Sequence, residues 1–195
     1  KYINKTNTRL GVIKMERLEI KQVVAIGIGA AVYIILSRFA AIPTPIPNTT
    51  LQVTFAFLAL MAFIYGPFVG FGIGIIGHTI SDMTAYGSPW ISWVLVTGFF
   101  GFAIGLLGKK IKIENFGRSK VIKFIIGEII ICILGWGILA PILDILIYKE
   151  PANKVFAQGI FAGISNMIVV GILGTILIYS FSKSIVSKGS LKKED

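Results

Sequence analysis

The sequence predicts an all-α membrane protein with six transmembrane helices and both termini in the cytoplasm. Three observations predict this class: 55% of the 195 residues are hydrophobic, only 14% are charged, and the basic residues concentrate in a few places between apolar segments. A soluble domain carries roughly 25% charged residues, so this chain has too few to cover a surface in water. The 22 glycines fit the same class, because small residues let helices pack closely inside a membrane.

Six apolar segments follow one another along the chain, and about 20 residues are needed to cross a core of about 30 Å. The second and third segments have only 15 residues each. They become full spans if residues 48–51 and 82–86 are included, and the alternative is a re-entrant pair. The six segments are Val23–Ala41, Leu51–Tyr65, Pro67–Ser81, Ile91–Gly108, Val121–Leu143 and Val155–Phe181.

The positions of the basic residues predict the orientation. Sixteen of the 19 lysines and arginines lie before the first segment, between the fourth and fifth, or after the sixth. With six spans these three places share one side of the membrane, and the positive-inside rule makes that side cytoplasmic. The three exceptions on the other side are Arg38, Lys149 and Lys154.

Three regions follow from this topology. Residues 1–20 are expected to be a basic cytoplasmic tail, residues 21–183 a six-helix membrane domain, and residues 184–195 a second cytoplasmic tail. Met15 would make a plausible native start, so residues 1–14 are either an extension or native sequence.

Several kinds of chemistry are not expected from this sequence. It contains no phosphate-binding loop of the Walker A type, no Cys/His cluster with zinc spacing and no nucleophile elbow. We therefore expect no enzyme, no resident metal and no covalently bound cofactor. If the chain takes part in uphill transport, the energy must come from an ion gradient or from a separate ATPase.

The segment after Tyr65 carries the only histidine of the chain inside apolar sequence. Gly66, Gly70, Gly74, His78 and Asp82 recur every four residues and so form one stripe on a helix. Ionisable groups within a span are costly and usually face an interior or a cavity. The sequence therefore predicts ligand contacts from the last two residues, and the alternative is a His–Asp pair that satisfies itself.

Aromatic residues follow this stripe directly. Tyr86, Trp90 and Trp93 are interpreted either as flat apolar walls of a ligand pocket or as an interfacial belt at the level of the headgroups. The two tryptophans are three residues apart, so both can face inward on one helix.

Uncharged amides and a proline-rich loop complete the candidate pocket. Gln52 opens the second segment, and Gln158 and Asn166 lie in the sixth. An amide in a membrane needs a partner, which is either another helix or a ligand. The segment Pro43–Thr50 follows the first span and is expected to be a stiff extended lid, or a plain connector. Asp144, at the outer end of the fifth segment, could join the pocket.

Small residues in the first segment predict a close helix contact. Ala25/Gly29 and Gly27/Ala31 are both pairs of small residues four positions apart. The partner is either another helix of this chain or another subunit.

These motifs resemble the substrate-binding (S) component of energy-coupling factor (ECF) vitamin transporters, and more narrowly the UPF0397 or ECF-type riboflavin transporter S component family. The resemblance covers roughly residues 18–182. It is carried by Tyr65-Gly66-Pro67, Gly77-His78, Asp82, Tyr86-Gly87-Ser88-Pro89-Trp90, Ser92-Trp93-Val94-Leu95, Ala157-Gln158-Gly159, Gly163, Asn166 and Gly171.

The resemblance implies a multi-pass subunit of a prokaryotic plasma membrane that binds riboflavin or a related heterocyclic vitamin at the outer face. Its partners would be a transmembrane coupling protein and two ATPase subunits, which alone would hydrolyse ATP, and the membrane lipid. Nucleic acid is not among them. The first helix would contact the coupling protein through Ala25, Gly29, Gly27 and Ala31. The substrate-binding residues would be Gln52, His78, Asp82, Tyr86, Trp90, Trp93, Gln158 and Asn166.

Three other functions stay open at this point, one of which is a purely structural membrane subunit. A self-sufficient proton-coupled transporter would use His78 and Asp82 as its relay. An intramembrane enzyme with the same pair as acid and base lacks a third catalytic partner.

Overall fold

The computed structural model describes residues 18–43 and 50–185. Six helices and one short hairpin make up this part of the chain. We number the helices α1 to α6 in chain order. They are α1 Ile20–Phe39, α2 Thr54–Tyr65, α3 Pro67–Tyr86, α4 Ile91–Ile111, α5 Arg118–Tyr148 and α6 Ala152–Ser184.

The predicted helical class and the predicted number of six helices are confirmed. Four of the helices within the described residues, namely α1, α4, α5 and α6, are long and apolar enough to cross a membrane. Helix α2 has 12 residues, a length of about 18 Å, which is shorter than the hydrocarbon core. That all six helices cross the membrane, and that both termini are cytoplasmic, stays a prediction. The two predicted tails lie almost wholly outside the described residues.

The surface of the helices agrees with a lipid environment. Helix α6 carries an isoleucine at every fourth position from 160 to 176, and each of the five is 52–57% exposed. A stripe of this kind is a continuous apolar surface, which soluble monomers rarely show. The four long apolar helices and this exposed apolar surface indicate a multi-pass membrane protein.

The end of α1 leads into a two-stranded antiparallel sheet, which the sequence reading did not anticipate. Strand β1 is Ala41–Pro43 and strand β2 is Thr50–Gln52, with Ile42 opposite Leu51. The centre of the predicted lid, residues 44–49, lies outside the described residues.

Glycines bring α3 and α4 into direct backbone contact. A Cβ atom on Gly70 would overlap the carbonyl oxygen of Gly101, and one on Gly74 would lie 2.7 Å from the carbonyl oxygen of Thr97. At the start of α3, a Cβ on Gly105 would overlap the backbone of Pro67. The stripe of small residues that the sequence shows is thus a packing seam between two antiparallel helices.

Two long helices contain widened turns. The segment Ile133–Leu139 within α5 and the segment Val170–Gly174 within α6 are π-helical. Pro141 follows the first of them and has no N–H for the carbonyl four residues earlier. The wider turn avoids the clash that its ring would cause in a regular helix.

The α3–α4 seam predicts that alanine in place of a seam glycine destabilises the chain, whereas alanine in place of a glycine outside the seam does not. Gly70→Ala should lower the free energy of unfolding by about 1–3 kcal/mol, because the added methyl group meets backbone that cannot rotate away. Thermal unfolding of the detergent-solubilised chain measures this change.

The matched control is Gly27→Ala in α1, where no described atom lies within 4 Å of the new Cβ. This variant should be as stable as the parent or slightly more stable, since alanine favours a helix over glycine. Equal melting temperatures for the two variants would show that close backbone contact at Gly70 does not contribute to stability.

Candidate functional site

A cavity of about 340 Å³ opens at one end of the helix bundle. The end of α3, the start of α4, the end of α5, the start of α6 and strand β2 surround it. The basic residues Lys109 and Lys110 at the end of α4 and Lys183 at the end of α6 lie at the opposite end of their helices. The lining consists of Tyr33, Gln52, Phe55, His78, Asp82, Tyr86, Ser88, Trp90, Trp93, Trp136, Asp144, Glu150, Lys154, Gln158, Ala162 and Asn166.

All eight residues that the sequence analysis assigned to substrate binding line this one cavity. They come from β2, α3, the α3–α4 turn, α4 and α6, which are far apart in the chain. Their contact with a ligand stays a prediction. The remaining lining residues were not assigned, although Asp144 was named as a possible member.

His78 is held by a short hydrogen-bond chain. Its Nδ1 lies 2.7 Å from Oγ1 of Thr97, which donates to the carbonyl oxygen of Trp93 at 3.0 Å. Since the hydroxyl has one proton and gives it to the carbonyl, Nδ1 of the imidazole is the donor. In a neutral ring Nε2 is then an acceptor, 3.4 Å from Oδ1 of Asp82. In that state Nε2 of His78 and Oδ1 of Asp82 are neighbouring acceptors, and together they could bind a donor group of a ligand.

Asp82 also fixes the start of α4. It is 8% exposed, and its Oδ2 accepts the backbone N–H of Trp90 at 3.0 Å. The turn between the two helices passes through Gly87 at φ +82°, a left-handed conformation that favours glycine. The carboxylate of Asp82 therefore joins the end of α3 to the first turn of α4.

Asp144 binds both tryptophans of the α3–α4 hairpin. Its Oδ1 accepts the indole N–H of Trp90 at 2.7 Å and the hydroxyl of Ser92, and its Oδ2 accepts the indole N–H of Trp93 at 2.8 Å. The carboxyl group is 2% exposed. Because both oxygens accept, one side chain on α5 sets the orientation of two aromatic walls, one from the α3–α4 turn and one from α4.

A second contact between α5 and α4 supports this arrangement. The rings of Trp90 and Tyr148 stack with centroids 4.2 Å apart and planes 28° apart. The hydroxyl of Tyr148 accepts the backbone N–H of Ile91 at 2.9 Å. Trp90 is thus fixed at its ring nitrogen, its ring face and its backbone.

The inner wall of the cavity is aromatic. The ring of Phe55 meets that of Trp136 edge to face at 4.9 Å and that of Tyr33 edge to face at 6.3 Å. The sequence analysis missed these three residues, because aromatics inside apolar helices look like ordinary core. Trp136 could have been predicted as a cavity residue, since it lies in the middle of a span and not at a membrane interface, where tryptophan is common.

Polar groups complete the side of the cavity formed by α6 and β2. Asn166 on α6 is 4% exposed and lines the cavity. Gln52 accepts the hydroxyl of Thr54 at 3.0 Å. Lys154 in the first turn of α6 and Glu150 just before that helix form an ion pair of 2.7 Å. Among the described residues, no three His, Cys, Asp or Glu side chains come together as metal ligands.

The small residues of α1 divide between two faces of the helix. Ala25 and Gly29 are buried, and a Cβ on Gly29 would lie 2.8 Å from Cγ1 of Ile73 on α3. Both therefore pack inside the chain. Gly27 and Ala31 are exposed. A contact with a coupling protein stays a prediction for all four residues, and exposure favours Gly27 and Ala31 for it.

Comparison with known proteins gives a consistent result. The profile of the family described as ECF-type riboflavin transporter, S component, matches residues 17–183. A UPF0397 protein of Lactobacillus acidophilus is 55% identical over 180 residues, which cover 91% of this chain and 97% of that protein. UPF0397 proteins of Clostridium perfringens and Staphylococcus aureus are 52% and 50% identical over 184 residues, covering 93% of this chain and all of theirs.

The role of Asp144 can be tested by tryptophan fluorescence, because the three tryptophans of the chain all line the cavity. Asp144→Ala should shift the emission to the red and lower the melting temperature. Each buried donor that is left without a partner costs about 1–3 kcal/mol.

Two milder variants grade the effect. Asp144→Asn keeps one acceptor oxygen and should lie between Asp144→Ala and the parent. Ser92→Ala keeps both indole bonds and should change the emission least. An unchanged spectrum for Asp144→Ala would show that the indoles do not depend on this carboxylate.

Proposed function

The chain belongs to the ECF-type riboflavin transporter S component family, and from this premise we propose that its cavity captures a heterocyclic vitamin at the outer face of a prokaryotic plasma membrane. As a member of this family it is the membrane-embedded substrate-binding subunit of an ECF transporter and not an enzyme. Riboflavin is the first ligand to test.

The observation that carries the proposal is the combination of flat aromatic walls with clustered acceptors in one cavity. The rings of Tyr86, Trp90 and Trp93 offer apolar faces to a planar ligand, while His78 and Asp82 offer acceptors to its donor groups. Binding sites for small molecules combine an apolar lining with a few convergent polar groups in this way.

The outer location is supported by the distribution of charge. The cavity lies at the end of the bundle away from the basic residues of the α4–α5 connection, which the positive-inside rule assigns to the cytoplasm. A ligand would therefore enter from outside. Release to the cytoplasm would require the partners that we propose, a coupling protein and two ATPase subunits, since this sequence has no phosphate-binding loop.

The alternative, proton-coupled transport by this chain alone, needs a relay beyond His78. In the structure Nδ1 of His78 is bonded to Thr97, whose proton is already given to the carbonyl oxygen of Trp93. This arrangement suits a positioned binding group better than a group that passes protons onward.

Binding of riboflavin to the purified full chain should quench the tryptophan fluorescence, because every tryptophan lines the cavity. Tyr86→Ala should weaken binding about twofold to twelvefold through loss of an aromatic contact worth about 0.5–1.5 kcal/mol. Tyr65→Ala is the matched control, since Tyr65 ends α2 and does not line the cavity. If no member of a broad vitamin panel binds to a folded sample, the proposal is wrong.

Uptake into vesicles separates the two modes of transport. Vesicles with this chain alone should show no accumulation of a bound vitamin under a pH gradient. Vesicles that also contain an ECF coupling protein and its ATPase subunits should accumulate it when ATP is present. Accumulation by the chain alone would favour the proton-coupled alternative.

A further inference from the structure

The ionisable side chains that line the cavity have a negative sum, although the chain as a whole has a formal net charge of +10. Glu150 and Lys154 compensate each other in their ion pair of 2.7 Å. This leaves Asp82 and Asp144 against His78, so the sum is negative whether or not the imidazole is protonated. Residues 44–49 contain no ionisable side chain and leave this balance unchanged.

Among the described residues, the imidazole of His78, 3.4 Å from Oδ1 of Asp82, is the one basic side chain in contact with either carboxylate, and no lysine or arginine pairs with them. Within the part of the chain that the structure describes, Asp144 accepts hydrogen bonds from two indoles and a hydroxyl, and Asp82 accepts one from a backbone amide. Neutral donors of this kind stabilise a carboxylate without cancelling its charge for a neighbouring ligand.

Two other basic residues among those described, Arg38 at the end of α1 and Lys149 directly after α5, are exposed and do not line the cavity. Charges in contact with solvent are screened by salt, whereas buried charges are screened much less. The cavity therefore keeps a negative potential although the molecule as a whole is basic.

We propose that this potential determines which ligands enter: the cavity accepts neutral or cationic heterocycles and excludes anionic ones, such as the phosphate monoester of the same ring. The inference rests on the proposed function, since it names the class of vitamin that the site takes. A ligand anion beside Asp82 and Asp144 would be repelled at short range in a weakly polar surrounding. A cation is attracted, and a neutral N–H or O–H group can donate to Asp82 and to Nε2 of His78.

The first test needs no vitamin. In a nonionic detergent, tryptophan emission of the full chain is quenched with iodide, caesium and acrylamide at constant ionic strength, and each quenching constant is divided by that of free N-acetyl-tryptophanamide. The normalised constant for caesium should exceed that for iodide by at least about threefold. The positive net charge alone would give the opposite order, so an iodide constant equal to or larger than the caesium constant overturns the proposal.

A charge variant shows that the cavity is the source of the effect. Asp82→Asn keeps an oxygen for the backbone N–H of Trp90 and removes one negative charge, so it should raise the normalised iodide constant while acrylamide quenching stays the same. Glu19→Gln is the matched control, because it removes a carboxylate at the far end of α1 and should change neither constant. An unchanged iodide constant in Asp82→Asn would contradict the proposal.

The second test uses matched ligands, namely riboflavin and its phosphate monoester, and thiamin and its phosphate monoester. In each pair that binds, the form without phosphate should bind at least about tenfold more tightly, and Asp82→Asn should narrow the difference. Equal or tighter binding of the phosphate ester overturns the proposal. If no vitamin binds but caesium still quenches preferentially, the proposed vitamin is wrong while the charge selection of the cavity is supported.

Discussion

The close approach of α3 and α4 determines where the polar groups of the cavity lie. The stripe of small and ionisable residues on α3 has a member every four residues. Because the helices are antiparallel, the residues of α4 that contact successive members have falling numbers, with a similar spacing. Gly70 meets Gly101 and Gly74 meets Thr97 by backbone contact, and the two ionisable residues of the stripe then meet Thr97 and the start of α4 by hydrogen bonds. The contact between these two antiparallel helices is therefore formed by glycines along most of its length and by polar side chains where the helices reach the cavity.

The same site has to satisfy its own buried polar groups, because a membrane interior provides no water to do so. A third helix, α5, supplies the carboxylate of Asp144, which accepts from Trp90, Ser92 and Trp93 together. The widened turn before Pro141 lies just upstream of this residue. The geometry of the aromatic walls thus depends on an acidic side chain more than fifty residues away in sequence, and not only on the helix that carries the walls.

The sequence was sufficient for the helical class and for the eight predicted residues around the cavity. Five of them are ionisable or amide groups, which are costly in apolar sequence and seldom lack a purpose, and the three aromatic residues directly follow His78 and Asp82 in the chain. It was insufficient where the residue type is common in spans. Tyr33, Phe55 and Trp136 differ from lipid-facing aromatics only by the direction in which they point. The pairs Ala25/Gly29 and Gly27/Ala31 are equal as patterns, and only packing shows that the first pair faces inward.

One face of helix α1 packs inside the bundle and reaches the cavity, and its other face lies on the surface of the bundle. The two pairs of small residues lie on these two different faces. Tyr33 lines the cavity and packs against Gly77, and Ser37 and Ser81 share a hydrogen bond of 2.8 Å. Gly29, one turn before Tyr33, packs tightly against α3. A displacement of α3 must therefore move α1 or open a gap between them, and the opposite face of α1 is the surface that carries Gly27 and Ala31. Of the described helices, α1 thus directly joins a wall of the binding cavity to the surface proposed for the coupling protein.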